Sequence, residues 1–348
     1  MSSSDKISRR AFTALAAAAL LPAGAAAAPA GHSLRKPPRL RFGDTIGLVA
    51  PGGHTDEEGI ARATARIEQL GFRVRQGRHL RAVFGNYGGT VRERVDDLHA
   101  MFADPEVRAI WCIRGGSGCI SLLSSLDYGL IRQHPTILLG YSDITALHLA
   151  LYRQAGLVTF HGPVATSSDS VYSTRHMLAV LMDPQNNYRI PLAQENAERA
   201  LHEPQFTART IRAGQASGRL LGGNLSLVSA LAGTPYAAEF RKAILFLEEA
   251  HEAPYRIDRW LTQLDLSLGL RNAAAVLVGV CQDCKPDDGE PSLSVDETLD
   301  LHLKPLPIPA VAGWSLGHIR DQFTLPVGVR ARLDTASQTL TLLEPAVS

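Results

Sequence analysis

Cysteine is scarce in this chain: Cys112, Cys119, Cys281 and Cys284 are the four in 348 residues. Cys281-Gln282-Asp283-Cys284 has a C-x-x-C spacing, but no further ligands stand at a matching distance, which argues against a zinc centre. The two thiols are expected to be free, or to pair with each other in an oxidising compartment. An excess of one charge is also missing. Lysine and arginine number 35 against 34 acidic residues, a formal net charge of +1, so no general attraction to nucleic acid or to anionic membrane is implied. Nor is there a long strongly apolar run. The segment from Thr13 to Ala28 is too short and too rich in alanine to span a bilayer. No internal repeat is found.

What the chain does have begins at its start. Ser8-Arg9-Arg10-Ala11-Phe12 is a twin-arginine pattern, the alanine-rich segment follows, and Ala28-Pro29-Ala30 offers small residues for cleavage before Gly31. Residues 1–30 therefore read as an export signal of the twin-arginine type rather than as a disordered basic tail. The expected partner is the export machinery and the expected destination the periplasm. No cysteine lies near the cleavage site, so a lipid anchor is not indicated. The remaining 318 residues exceed what one core usually holds, which suggests two domains. Hydrophobic residues make up 45% and charged ones 20%, as in a soluble globular enzyme. The 30 glycines cluster in short motifs, a pattern that suits backbone approaching a ligand.

Strand and helix patterns alternate through the first half. Asp44 to Pro51 reads as a strand entering a turn, and Glu58 to Leu70 as a helix stopped by Gly71. Arg108 to Ile113 is a strand closed by Arg114-Gly115-Gly116-Ser117-Gly118, with a helix near Ile120 to Leu126. Repeated βα units imply a parallel sheet whose functional groups gather at the strands' carboxyl ends. Residues 186–206 are polar and look like an irregular linker. Beyond them strands are expected at Arg219 to Gly222, Ala243 to Leu247, Ala274 to Val280, Ala310 to Trp314 and Thr339 to Leu343. Helices are expected at Leu225 to Leu231 and within Pro254 to Leu268.

The octet Leu138-Leu139-Gly140-Tyr141-Ser142-Asp143-Ile144-Thr145 is the most informative stretch. An apolar strand from Thr136 ends at a glycine, and a helical pattern runs from Thr145 to Tyr152. A serine on such a sharp turn has its hydroxyl held clear of the backbone beside the N–H groups of a helix start, as a nucleophile requires. The plainer reading is that Ser142 or Asp143 caps the helix. A serine nucleophile needs a base and an orienting acceptor. Ile244 to Leu247 ends in Glu248-Glu249, and Trp314-Ser315-Leu316-Gly317 leads into His318. Singly, a strand-end glutamate is as readily solvated and a lone histidine as readily structural.

Taken together, the segments resemble the LD-carboxypeptidases, the muramoyltetrapeptide carboxypeptidase family of serine peptidases whose other branch is the microcin-C self-immunity peptidases. The resemblance runs from about Arg41 to Val347. It rests on Val49-Ala50-Pro51, Arg114-Gly115-Gly116-x-Gly118, Gly140 to Thr145, His161-Gly162-Pro163, Gly222-Gly223-Asn224-Leu225, Leu247-Glu248-Glu249, Pro254-Tyr255-Arg256-Ile257-Asp258-Arg259 and Gly317-His318. Ser117 departs from the pattern, where an aromatic residue is frequent, which bears on pocket shape.

The resemblance implies a catalytic triad of Ser142, Glu248 and His318, with an oxyanion hole from the Asp143 N–H and a glycine N–H, Gly116 being favoured. Arg114, Gly115 and Tyr141 are the expected substrate-binding residues. Arg114 suits a terminal carboxylate, with Arg256 and Arg259 as alternatives that a helix would more readily pair with Asp258 or Glu252. The implied fold class is α/β. A parallel α/β domain over residues 31–185 holds the nucleophile, 186–207 is a linker, and a smaller β-rich mixed α/β domain over 208–348 holds Glu248 and His318. The implied reaction is release of terminal D-alanine from a murein tetrapeptide, with no cofactor and no metal, often by a homodimer. The immunity branch, an amidase on peptidyl or aminoacyl nucleotides, works in the cytoplasm and fits the export signal poorly. A catalytically silent periplasmic muropeptide-binding protein fits the complete triad poorly. A generic esterase would carry a different elbow.

Overall fold

The computed structural model describes residues 33–287, 289 and 291–348; the export segment lies outside the described residues. Two sheets organise the chain. The first has the order β12-β5-β4-β3-β1-β2. Its strands are β1 (Thr45–Val49), β2 (Arg73–Gln76), β3 (Val107–Cys112), β4 (Ile137–Gly140), β5 (Thr159–His161) and β12 (Leu325–Val327). The first five run parallel, and β12 joins β5 antiparallel. β1 and β4 are buried along their whole length, which accounts for apolar runs without alternation. The helices between them start where sequence-local chemistry says they should. Asp56 caps α1 (Glu57–Gln69) by accepting from the Gly59 N–H at 2.8 Å. Thr90 and Glu93 form a capping box on α2 (Val91–Ala103).

The second sheet has eight strands in the order β6-β14-β13-β8-β9-β10-β11-β7. Its centre, β8 (Gln215–Asn224), β9 (Ala243–Ala250), β10 (Ala275–Gln282) and β11 (Ala310–Trp314), is parallel. The flanks are antiparallel: β7 (Arg209–Arg212) on one side, β13 (Arg330–Asp334), β14 (Thr339–Leu342) and β6 (Tyr188–Ile190) on the other. The fold is thus α/β with a parallel first sheet and a mixed second one. Most of the buried apolar side chains form one core that takes in both sheets, and Phe206, Val280 and Ile319 form a small separate cluster.

Three local expectations change. The segment expected to be irregular from residue 186 holds β6, a helix at Gln194–Arg199 and a short helical turn at Pro204–Phe206. Of β6 only Ile190 is buried, so its sequence carries no strand pattern; pairing with β14 creates it. Near Ile120 the helix is a 3₁₀ segment, Cys119–Ser125. The helix after Ser142 is α-helical over Thr145–Ala150 and closes in a π-turn, Leu151–Ala155, stopped by left-handed Gly156.

Candidate active site

The site is built where β4 ends. Tyr141 is extended, at φ −146° and ψ −171°. Ser142 is then left-handed at φ 65°, a conformation that costs a non-glycine residue roughly 1–2 kcal/mol. A 3₁₀ turn over Ser142–Ile144 leads straight into the helix. Neither Ser142 nor Asp143 caps it: the N-cap is Ile144, with no side-chain cap hydrogen bond. The buried Asp143 instead accepts from the Cys119 N–H at 2.8 Å. That bond ties the elbow to the segment after the glycine-rich turn.

His318 is brought to this elbow from the second sheet. Its Nε2 lies 2.9 Å from Ser142 Oγ and its Nδ1 2.7 Å from Glu248 Oε2. Glu248 is fully buried on β9, and strand alternation turns its neighbour the other way. Glu249 accepts from Asn224 Nδ2 at 2.8 Å, the Ser226 N–H at 2.9 Å and the Ala250 N–H at 3.0 Å. So Glu249 braces the turn after β8, while Glu248 faces the histidine. Gly317 lets the chain pass this close: at φ 122°, a Cβ there would stand 2.8 Å from the Val280 carbonyl oxygen and 3.2 Å from Glu248 Cβ.

The pair's electrostatics are mutual. Burial alone would raise the Glu248 proton affinity, but the neighbouring His318 outweighs it and holds the carboxyl below its ordinary range. Burial alone would lower His318; Glu248 reverses this and holds the imidazole above its ordinary value. The arrangement can therefore take a proton from the Ser142 hydroxyl and stabilise the resulting imidazolium.

The glycine-rich turn closes the other side. A Cβ on Gly115 would meet Ser142 Cβ at 2.8 Å and Oγ at 3.1 Å, so only glycine lets the two backbones approach. The Gly115 carbonyl accepts from the Gly53 N–H at 2.8 Å, which pins this turn to the loop after β1. Ser142, His318 and the turn open onto a cavity of about 480 Å³. It is lined by Arg114, Gly115, Gly116, Tyr141, Ser142, Val164, Thr166, Ser167, Ser168, His318, Ile319 and Arg320.

Thus Ser142, His318, Arg114, Gly115, Gly116 and Tyr141 share one cavity wall, with Glu248 buried behind His318 and Asp143 behind the elbow. Arg256 and Arg259 are elsewhere. Arg256 pairs with Glu252 at 3.1 Å, and the Arg259 guanidinium sits 5.6 Å from the Tyr255 ring centre. Ser117 does not line the cavity; its hydroxyl accepts from Asn86 Nδ2 at 2.7 Å. Cys281 and Cys284 are free thiols.

The sequence reading missed one wall of the cavity, Val164, Thr166, Ser167 and Ser168, and the cation Arg320. The available signals were the hydroxyl-rich run directly after His161-Gly162-Pro163 and a cation two residues beyond His318. Arg114 and Arg320 are both exposed and both fixed to backbone: Arg114 Nη1 donates to the His54 carbonyl at 3.0 Å, and Arg320 Nε to that of Asp169 at 2.9 Å. Among the described residues no carboxylate lines the cavity, so both guanidinium groups stand ready for an anion.

Comparison with known proteins decides the family. Two family models match, the LD-carboxypeptidase N-terminal domain over residues 46–162 and the LD-carboxypeptidase C-terminal domain over residues 217–333. The chain belongs to the LD-carboxypeptidase family. Among its relatives is the "Probable murein peptide carboxypeptidase" of Bacillus subtilis strain 168, 37% identical over 320 residues, spanning 90% of this chain and 95% of that one. Among solved structures, an MccF-like protein from Bacillus anthracis superposes with a TM-score of 0.77 at 29% identity, covering 88% of this chain and 99% of the other. A muramoyltetrapeptide carboxypeptidase from Oxalobacter formigenes gives 0.73 at 28% identity, over 86% and 97%. Within this chain, the N-terminal match contains the Ser142 elbow and the C-terminal match contains Glu248 and His318. The family supports a peptidase of the carboxypeptidase type.

Proposed function

We propose that this chain is a serine-type LD-carboxypeptidase that releases the terminal D-alanine from murein tetrapeptides, outside the cytoplasm, in cell-wall turnover or recycling. The observation that carries the reading is the Glu248–His318–Ser142 hydrogen-bonded chain on a left-handed serine elbow, at the wall of a cavity with two arginines. Its relatives, a probable murein peptide carboxypeptidase and a muramoyltetrapeptide carboxypeptidase, support the substrate class.

In this reading His318 Nε2 takes the Ser142 proton as Oγ attacks the carbonyl of the bond between the third residue and D-alanine. Glu248 holds the Nδ1–H tautomer and offsets the imidazolium charge. The Asp143 and Gly116 N–H groups receive the oxyanion. His318 then protonates the departing amine, and water, activated by the same imidazole, hydrolyses the ester on Ser142. Arg114 takes the carboxylate of the leaving D-alanine, and Arg320 adds a second cation to the same cavity.

The test is to incubate the protein with defined tetrapeptide muropeptides and analyse the products by mass. Tripeptide plus free alanine is expected, and Ser142→Ala should fall at least a thousandfold, on the order of other triad deletions. An aminoacyl nucleotide offered in parallel should remain intact. Retention of more than about a tenth of the rate by Ser142→Ala would remove the serine mechanism.

A further inference from the structure

Behind the relay lies a histidine that the proposed chemistry does not use. His161 ends β5, level with Gly140 on β4 and Leu325 on β12. It is fully buried, and among the described residues neither ring nitrogen has a hydrogen-bond partner. Its surroundings are those of the relay. The Tyr141 ring meets it edge-on at 6.1 Å, and Tyr141 in turn packs 4.8 Å from the His318 ring. On the other side it meets Phe246 at 5.3 Å. Phe246 precedes Glu248 by two residues on β9, so both side chains project from the same face of that strand.

Glu248 carries the matching deficit. Its Oε2 is used by His318, while Oε1 is buried and without a hydrogen-bond partner among the described residues, the nearby Asn224 amide donating to Glu249 Oε1 instead. An ionised carboxylate oxygen enclosed without a donor is costly. A neutral imidazole has one N–H to give. His161 is held neutral by its surroundings: burial lowers its pKa to about 4, Glu248 pulling the other way and His318 adding to the lowering. The other ring near it, His148 at 6.3 Å, is also buried and its pKa is lowered to about 3, so it adds no charge.

We propose that His161 is a positioning residue that turns its ring N–H toward Glu248 Oε1, directly or through one enclosed water, and so fixes the carboxylate that orients His318. This rests on the serine-peptidase reading. The donor spreads part of the Glu248 charge, which moderates the hold of Glu248 on the His318 proton. His161 thereby trims the basicity of the base without touching substrate.

The experiment compares His161→Met, which keeps the volume without an N–H donor, with His161→Gln, which keeps the donor. The readouts are peptide hydrolysis and the rate at which a small fluorophosphonate labels Ser142. His161→Met should lower kcat about tenfold and leave KM unchanged. It should also move the acid limb of kcat/KM to higher pH, because the less-shared Glu248 charge binds the imidazolium more tightly. His161→Gln should keep most of the rate and the wild-type limb. In a Glu248→Gln background, His161→Met should cost nothing more.

Equal losses in Met and Gln variants with an unmoved pH limb, or a full loss in the Glu248→Gln background, would overturn the proposal. So would wild-type behaviour of His161→Met. Should His161→Met not fold, ¹⁵N-histidine NMR of the unmodified protein decides. One neutral His161 ring N–H must respond to Glu248→Gln, and an unmoved signal refutes the link. A wild-type protein that reacts with neither peptide nor fluorophosphonate would instead remove the underlying function.

Discussion

Gly115→Ala tests the elbow without replacing any residue of the relay. The new methyl would sit 2.8 Å from Ser142 Cβ, where 3.4 Å is ordinary contact, so the serine must retreat by about 0.6 Å. Ser142 has little freedom to do so. Its backbone is already left-handed, and the next residue is tethered through Asp143 to the Cys119 N–H at 2.8 Å. The retreat is instead taken up in the 2.9 Å contact between Ser142 Oγ and His318 Nε2, and in the line of attack. Displacements near 1 Å cost on the order of a hundredfold in rate, so this one should cost about 10- to 100-fold, or roughly 1.4–2.8 kcal/mol of barrier.

Stability should change far less. Gly115 is not among the positive-φ glycines, so alanine brings no backbone strain of its own. The assay pairs the fluorophosphonate labelling rate, which reports Ser142 independently of peptide binding, with kcat and KM on a tetrapeptide and a thermal melt. Gly85→Ala, at φ 61° with nothing within 4 Å, is the control for an alanine in a strained but empty position. If Gly115→Ala stays folded and labels at more than half the wild-type rate, the close approach of turn and serine is not what shapes the site.

Three other outcomes are expected, the first two from the structure and the third from the sequence alone. kcat/KM should rise with pH as neutral His318 forms, with its midpoint above the ordinary histidine value of about 6.5. Below the midpoint the loss is tenfold per pH unit. Glu248→Gln should move that midpoint down, because Glu248 is what raises it; a midpoint below the ordinary value in the wild type would contradict the pairing. Arg114→Ala and Arg320→Ala should each raise KM for a free-acid tetrapeptide by about 10- to 100-fold, and much less for the same peptide amidated at its C-terminus. Equal losses on both peptides would refute carboxylate recognition. Replacing Arg9 and Arg10 by lysine should trap the precursor in the cytoplasm, as fractionation and blotting will show; normal periplasmic accumulation would dismiss the twin-arginine route.

Legibility in the sequence followed how local each interaction is. β11 and the helix Pro254–Leu268 match their expected bounds, because a buried apolar run and an amphipathic stretch between a proline and a glycine are complete local signals. The elbow was legible for the same reason: strand, glycine, serine and helix follow within a dozen residues. β6 and β12, three residues each, were not, since each exists only through its partners, β14 and β5. The helix-cap alternative for Ser142 or Asp143 fell because the buried carboxylate binds a backbone N–H 24 residues away.

By itself, then, the sequence determined the βα alternation, the sharp turn at Ser142 and, through its motifs, the family with its three candidate residues. Tertiary structure supplied the reason that Glu248, already named by its motif, faces His318 while the adjacent Glu249 does not, since strand pairing sets which side of β9 looks inward. It also brought together a serine and a histidine 176 residues apart, placed Arg320 beside Arg114 at one cavity, and left Arg256 and Arg259 on the far helix. These are long-range contacts. Their free energy comes from burying one sheet against the other, and no window of consecutive residues contains it.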